Sequence, residues 1–227
     1  MLPLRDNVPT RHRPWVTYAL IAANVLVWLL YQVPDLEGSV RELAYHPCEV
    51  NDSCAVVGQD WWLTALTSMF MHGSWLHLGG NMLFLWIFGN NVEDTMGHAR
   101  FLVFYVLAGL AATALQTAFT LGAASAEGAQ IPNLGASGAI SGVLGAYFVL
   151  LPRARILTLI AFVVLRELPA WLMLGIYFVL QFYAANFQLE HPPEDGGVAV
   201  FAHVGGIVFG LLAVFVFRKR KPLRPAY

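Results

Sequence analysis

Four polar side chains in a strongly apolar chain are of the types that could do chemistry together: His77, Asn81, Ser137 and His203. A serine hydroxyl is a weak nucleophile until a base takes its proton, and histidine does this near neutral pH. Attack on a carbonyl then builds an oxyanion that needs preorganised donors. Ser137 stands between Gly135 and Gly138 in "NLGASGAISGVLGAYFVLLP", residues 133–152, where a helix would leave its first backbone N–H groups unpaired. His77 and Asn81, four residues apart, share a helix face and add side-chain donors. The fifth apolar segment has no interior Asp or Glu to orient His203, so the economical arrangement is a Ser137–His203 pair. Its oxyanion donors would be His77, Asn81 and the Ser137 amide. Each residue also has a plainer reading: Ser137 as a helix cap, His203 bonded to a neighbouring carbonyl, and His77 with Asn81 as interhelical glue.

The elements that must position these residues are membrane spans. The chain has 227 residues, 58% of them hydrophobic and 12% charged, with a mean hydropathy of +0.60. A soluble domain carries about 25% charged residues, so a polytopic membrane protein is indicated. Residues 14–33 can cross a hydrocarbon core of roughly 30 Å. Their apolar stretch is too long for a signal peptide and no A-x-A-like site follows, so they read as a retained first span. Five more spans are expected near 75–91, 99–121, 137–152, 167–186 and 198–217. The apolar piece at 156–165 is too short to cross and suggests an interfacial or re-entrant segment. The fold class is therefore an all-α six-helix membrane bundle. A segment 1–13 precedes one domain at 14–217, and a basic tail follows at 218–227.

With six spans both termini share a side. That side holds Arg5, Arg11, Arg13, Arg100, Arg153, Arg155, Arg166 and the tail residues Arg218 to Lys221 and Arg224, leaving Arg41 opposite. The positive-inside rule makes the arginine-rich face cytoplasmic. A basic tail this short is a topology anchor and gives little support to nucleic-acid binding. Cys48 and Cys54 fall in the external loop at 34–74, where an oxidising compartment favours a disulfide. A metal site using His46 with both thiols, or two free thiols, are the alternatives. In the same loop "QDWWLTALTSMFMH" has the pattern of a short amphipathic helix lying in the interface.

Gly138 and Gly142 in the fourth span, and Gly206 and Gly210 in the sixth, form small-residue stripes, extended by Ala146 and Ala202, that let backbones approach closely in lipid. Spans two, four and six all enter from the external face. His77, Asn81, Ser137 and His203 then share one shallow depth, His203 about 8 Å below the start of its span. Polar groups inside a membrane mark functional sites by default. The fourth span rises only about 22 Å, so a water-filled recess could sit above Ser137.

These residues carry a family resemblance over about residues 60–217. "GASGAISGVLGAYFVLLPRARILTL" resembles the fourth helix and following loop of rhomboid intramembrane serine proteases. "HGSWLHLGGNMLFLWIFGNNVEDTMGHARFLVFYVLAG" is similar to their second and third helices, and "AHVGGIVFG" to their sixth. The resemblance implies Ser137 as nucleophile, His203 as base, and His77 and Asn81 as oxyanion donors. It implies a structural turn at Glu93, Asp94, Gly97 and Arg100, and a structural role for His72. It further implies a cap loop near 187–197 and lateral substrate access past a fifth helix carrying Trp171, Tyr177, Phe178, Phe182 and Tyr183. Some members stack a tyrosine on the catalytic histidine where this chain has Ser141, leaving Phe201 or span packing to hold the ring. Many have Trp-Arg where this chain has Trp61-Trp62.

The expected activity is endopeptidase cleavage of membrane proteins in or near their transmembrane segments, with no metal or cofactor. The resemblance to the minimal bacterial form implies a bacterial inner membrane, with the site opening to the periplasmic side. Transmembrane substrates and the bilayer are the expected partners; the residues do not fix an oligomeric state. The alternative is a non-catalytic relative that binds and escorts membrane proteins, although such proteins typically lose Ser137 or His203. A transporter would place polar groups at the bilayer midplane. A soluble α/β-hydrolase would need glycine where Ala139 stands.

Overall fold

The computed structural model of the chain describes residues 1–54, 59–123, 128–161, 163–191 and 198–223. Helix α1, Trp15–Val27, continues through a π-helical turn to Gln32. The first loop contributes α2, Leu36–Leu43, and α3, Trp61–Thr67. Helix α4, Trp75–Phe84, runs through a second π-helical turn, Leu85–Gly89, into α5, Asn90–Met96. Helices α6, His98–Ala123, α7, Ser137–Leu150, α8, Ala170–Glu190, and α9, Val200–Phe217, follow. Among the described residues four helices are long and apolar enough to cross a membrane: Trp15–Gln32, His98–Ala123, Ala170–Glu190 and Val200–Phe217. The shorter α7 and the interrupted α4–α5 rod complete a six-helix, multi-pass membrane bundle.

Helix α7 lies at its centre. Every residue from Gly138 to Tyr147 is buried, as expected of a helix apolar on all sides. Glycine brings α9 against it at backbone distance. A Cβ on Gly206 would lie 2.0 Å from the Gly138 carbonyl oxygen, and one on Gly210 would lie 2.0 Å from that of Gly142. On its other side α7 meets α6, where a Cβ on Gly138 would lie 2.6 Å from Ala112 Cβ. These contacts fix the depth at which Ser137 and His203 face each other.

The end of the bundle opposite Ser137 is tied by polar contacts. The buried Glu93 carboxylate accepts the Val16 and Thr17 backbone N–H groups at 2.9 and 2.7 Å, pairing donors that the start of α1 would otherwise leave free. Asp94 pairs with Arg11 at 2.8 Å. The Thr95 carbonyl accepts the Lys219 and Arg220 N–H groups at 3.1 and 3.0 Å. Gly97, at φ +81°, ends α5 and turns the chain into α6.

A three-stranded antiparallel sheet at this same end departs from the sequence reading. Strand β1, Leu2–Asp6, pairs with β2, Arg155–Ile160, which pairs with β3, Val164–Pro169. The segment at 156–165, expected as an interfacial or re-entrant piece, is built as two paired strands. Ile156 and Thr158 are both wholly buried and alternate with more exposed neighbours, the period-two pattern of a half-buried strand. Helix α8 begins three residues later than expected and continues to Glu190, so Phe187 to Glu190 belong to it. His191 follows as its C-terminal cap, while residues 192–197 of the expected cap loop and the tail beyond 223 lie outside the described residues.

Candidate active site

Ser137 is the first residue of α7, and its Oγ lies 2.9 Å from Nε2 of His203, three residues into α9. Helix α7 is preceded by Ala136 and has no side-chain cap, so the Ser137 hydroxyl is not spent on one. The His203 ring bonds side chains on both nitrogens rather than a backbone carbonyl: Ser137 at Nε2, and Gln181 Oε1, from α8, at Nδ1, 2.9 Å away.

The approach to Ser137 is built with little freedom. Gly135 has φ +126°, and a Cβ there would lie 2.8 Å from both Cε1 and Nε2 of His77, so glycine is needed for backbone and space alike. Its N–H donates to the Ser68 carbonyl at 2.9 Å. Two residues earlier, Asn133 exchanges backbone hydrogen bonds with Tyr45 at 3.1 and 2.7 Å. The first loop thereby braces the segment leading to Ser137. Cys48 and Cys54 of that loop are joined as a disulfide. With both sulfurs bonded to each other, the alternative of a metal site with His46 fails. Among the described residues no three His, Cys, Asp or Glu side chains gather as a metal site would need.

His77 and Asn81 approach from α4. The Ser74 hydroxyl caps this helix by accepting the His77 N–H at 3.1 Å. The Gly73 N–H donates to His77 Nδ1 at 3.3 Å, which places the ring proton on Nε2, the atom facing Gly135. The Asn81 Nδ2 group is buried and has no hydrogen-bond partner among the described residues, so its donors are unspent. His72 is fully buried, its ring centroid 5.0 Å from that of His77. Burial, and secondarily the nearness of His77, lower its pKa to about 4, so it is neutral at physiological pH.

A recess of about 530 Å³ is lined by His77, Asn81, Ser137, Ser141, Tyr177 and His203 among others. The Tyr177 hydroxyl, from α8, lies 3.2 Å from that of Ser141. Phe201 does not hold the His203 ring; it stacks on Phe119 at 3.8 Å. Trp171, Phe182 and Tyr183 point out of the bundle, whereas Phe178 is buried. Gln181 was missed by the sequence reading, which looked for a carboxylate; the available signal was the sole amide between Ala170 and Ala185.

The family model for the Rhomboid domain matches residues 59–220. Rhomboid protein 1, mitochondrial, of Saccharomyces cerevisiae is 30% identical over 203 residues, covering 88% of this chain and 53% of that protein. The human presenilin-associated rhomboid-like protein, mitochondrial, is 29% identical over 214 residues, covering 90% of this chain and 50% of its own. Rhomboid protease GluP of Bacillus subtilis is 28% identical over 202 residues, covering 88% and 34%. The chain thus spans about half the length, or less, of these relatives.

Proposed function

The chain belongs to the rhomboid family, and from that premise we propose that it is an intramembrane serine endopeptidase cutting membrane proteins in or near their transmembrane segments. The observation that carries this reading is the 2.9 Å contact between Ser137 Oγ and His203 Nε2 beside the recess.

In the proposed reaction His203 Nε2 takes the Ser137 hydroxyl proton as Oγ attacks the scissile carbonyl. The resulting oxyanion is met by the Ser137 N–H, the His77 Nε2–H and the Asn81 amide, which are oriented before substrate arrives and so need no rearrangement as charge develops. The imidazolium returns its proton to the leaving amine, giving an acyl-enzyme on Ser137. A water, deprotonated in turn by His203, hydrolyses that ester and restores the hydroxyl. A substrate helix hides its carbonyls in i→i−4 bonds, so helix-weakening residues near the cleavage site favour the reaction. No metal or cofactor enters it.

The assignment of roles covers Ser137 and His203 as catalytic pair and His77, Asn81 and the Ser137 amide as oxyanion donors. It goes with residues 1–13 and 218–227 on the cytoplasmic side of a bacterial inner membrane, flanking the domain 14–217. The recess then opens to the periplasmic side. The clustering of arginine and lysine at one end supports this orientation.

The test is labelling of the purified protein with a fluorophosphonate probe, in lipid and in detergent. Labelling of the parent that Ser137→Ala and His203→Ala both abolish, with all three proteins folded, is the expected result. A well-folded parent that stays unlabelled in both media would favour a non-catalytic protein that binds membrane partners.

A further inference from the structure

Gln181 is an amide in the apolar interior of α8, and between Ala170 and Ala185 that helix has no other amide and no charged residue. A polar group placed there is costly in lipid. Its Oε1 is 2.9 Å from Nδ1 of His203, whose Nε2 is 2.9 Å from Ser137 Oγ. A neutral imidazole has one N–H. For Nε2 to accept the serine proton, the ring's own proton must sit on Nδ1. The Gln181 amide is turned so that its Oε1, a carbonyl oxygen that only accepts, faces the ring; the Nδ1–H tautomer then makes a hydrogen bond and the other sets two lone pairs against each other.

We propose that Gln181 is a positioning residue that holds His203 in its base-competent tautomer, a third member supplied by α8; the role rests on the protease reading above. When His203 takes the serine proton, the Nδ1–H···Oε1 bond becomes charge-assisted and strengthens, so Gln181 stabilises the transition state more than the resting enzyme. An amide supplies this without burying a second ionisable group in the membrane. Tyr177, one turn earlier on the same face of α8, bonds Ser141 of α7 at 3.2 Å. The two contacts clip α8 to both helices that carry the pair. Helix α8 needs such a clip: 28% of its apolar window is buried, against 44% for α6. The titratable side chains among the described residues lining the recess are His77 from α4, Tyr177 from α8 and His203 itself; none is acidic.

The experiment compares the parent with Gln181→Met, which keeps length and loses the acceptor, and Gln181→Glu, which restores an acceptor with charge. A transmembrane peptide cleaved by the parent in liposomes is the substrate. Gln181→Met lowers kcat about tenfold to a hundredfold with KM within about twofold. Gln181→Glu recovers most of the rate and moves the acid limb of kcat/KM to higher pH, because a carboxylate stabilises the imidazolium; a purely structural role would leave that limb in place. The ring 15N signals of His203 read the tautomer independently of turnover: Nδ1 protonated in the parent, mixed in Gln181→Met. A Gln181→Met protein with the parent's kcat, or with the parent's tautomer, overturns the proposal. Absence of fluorophosphonate labelling in the parent sinks the protease reading separately, and the 15N spectrum still decides whether Gln181 sets the ring.

Discussion

The carbonyl oxygen of Gly138 occupies the place a side chain on Gly206 would need, 2.0 Å from the position of its Cβ. The register that brings His203 to Ser137 thus depends on a residue that has no chemistry of its own. Gly206→Ala forces α7 and α9 apart, at a cost of about 1–3 kcal/mol by overpacking. Thermal unfolding in detergent should register the loss, and labelling at Ser137 should slow. Parent-like values for both would show that α9 can shift without consequence.

Gly135→Ala tests the backbone rather than a side chain. The left-handed φ of +126° and the 2.8 Å approach to His77 leave no room for a methyl group. Cleavage is expected to fall at least a hundredfold, since a donor displaced from the oxyanion costs about 10²–10³ in kcat. Insertion and the spans should be intact by circular dichroism. Near-normal turnover would mean that the oxyanion is stabilised elsewhere.

Asn81→Ala removes one of the three proposed oxyanion donors. A smaller loss than with Ser137→Ala is expected, on the order of a hundredfold to a thousandfold in kcat, with KM little changed. An unaltered kcat would reduce Asn81 to a packing residue.

His72 links stability to acid. Its folded pKa, about 4, lies below the ordinary 6.5 because burial disfavours the charged ring. The unfolded chain therefore binds the proton first as pH falls. The contribution is fully present above pH 6.5 and is lost as pH falls from 6.5 towards 4. The full loss is on the order of 3 kcal/mol. His72→Phe, which keeps an aromatic ring beside His77, should flatten this part of the stability–pH curve. Parallel curves for parent and variant would remove His72 as the cause.

The spans were legible because lipid demands long apolar helices, and the Ser137–His203 pair because polar groups are rare within them. The hairpin of β2 and β3 was not. Its turn is made at Ala161, with φ +49°, where Gly, Asn or Asp would have announced it, and its partner β1 lies far away in the chain. Helix α2 carries its signals, with Asp35 accepting the Gly38 N–H and Arg41 in the last turn, but it is too short and polar to stand out by hydropathy. Gln181 went unread for a different reason. An amide on a span is ordinary glue until the ring opposite it is known, and the packing of α8 on α9 alone supplies that.

The pairing of β1 with β2 also dictates an order of assembly. Leu2–Asp6 is synthesised about 150 residues ahead of Arg155–Ile160, its partner in the sheet, which at translation speeds is a delay of roughly 8–30 s. During that interval α1 to α7 are all made, so β2 emerges only after the helix that begins at Ser137. Asp6, which accepts the Tyr147 hydroxyl at 2.6 Å and an Asn91 amide hydrogen at 2.7 Å, can find both partners only then. The sheet is thus a late latch, closing the end of the bundle opposite Ser137 once the helix bearing that serine has been made.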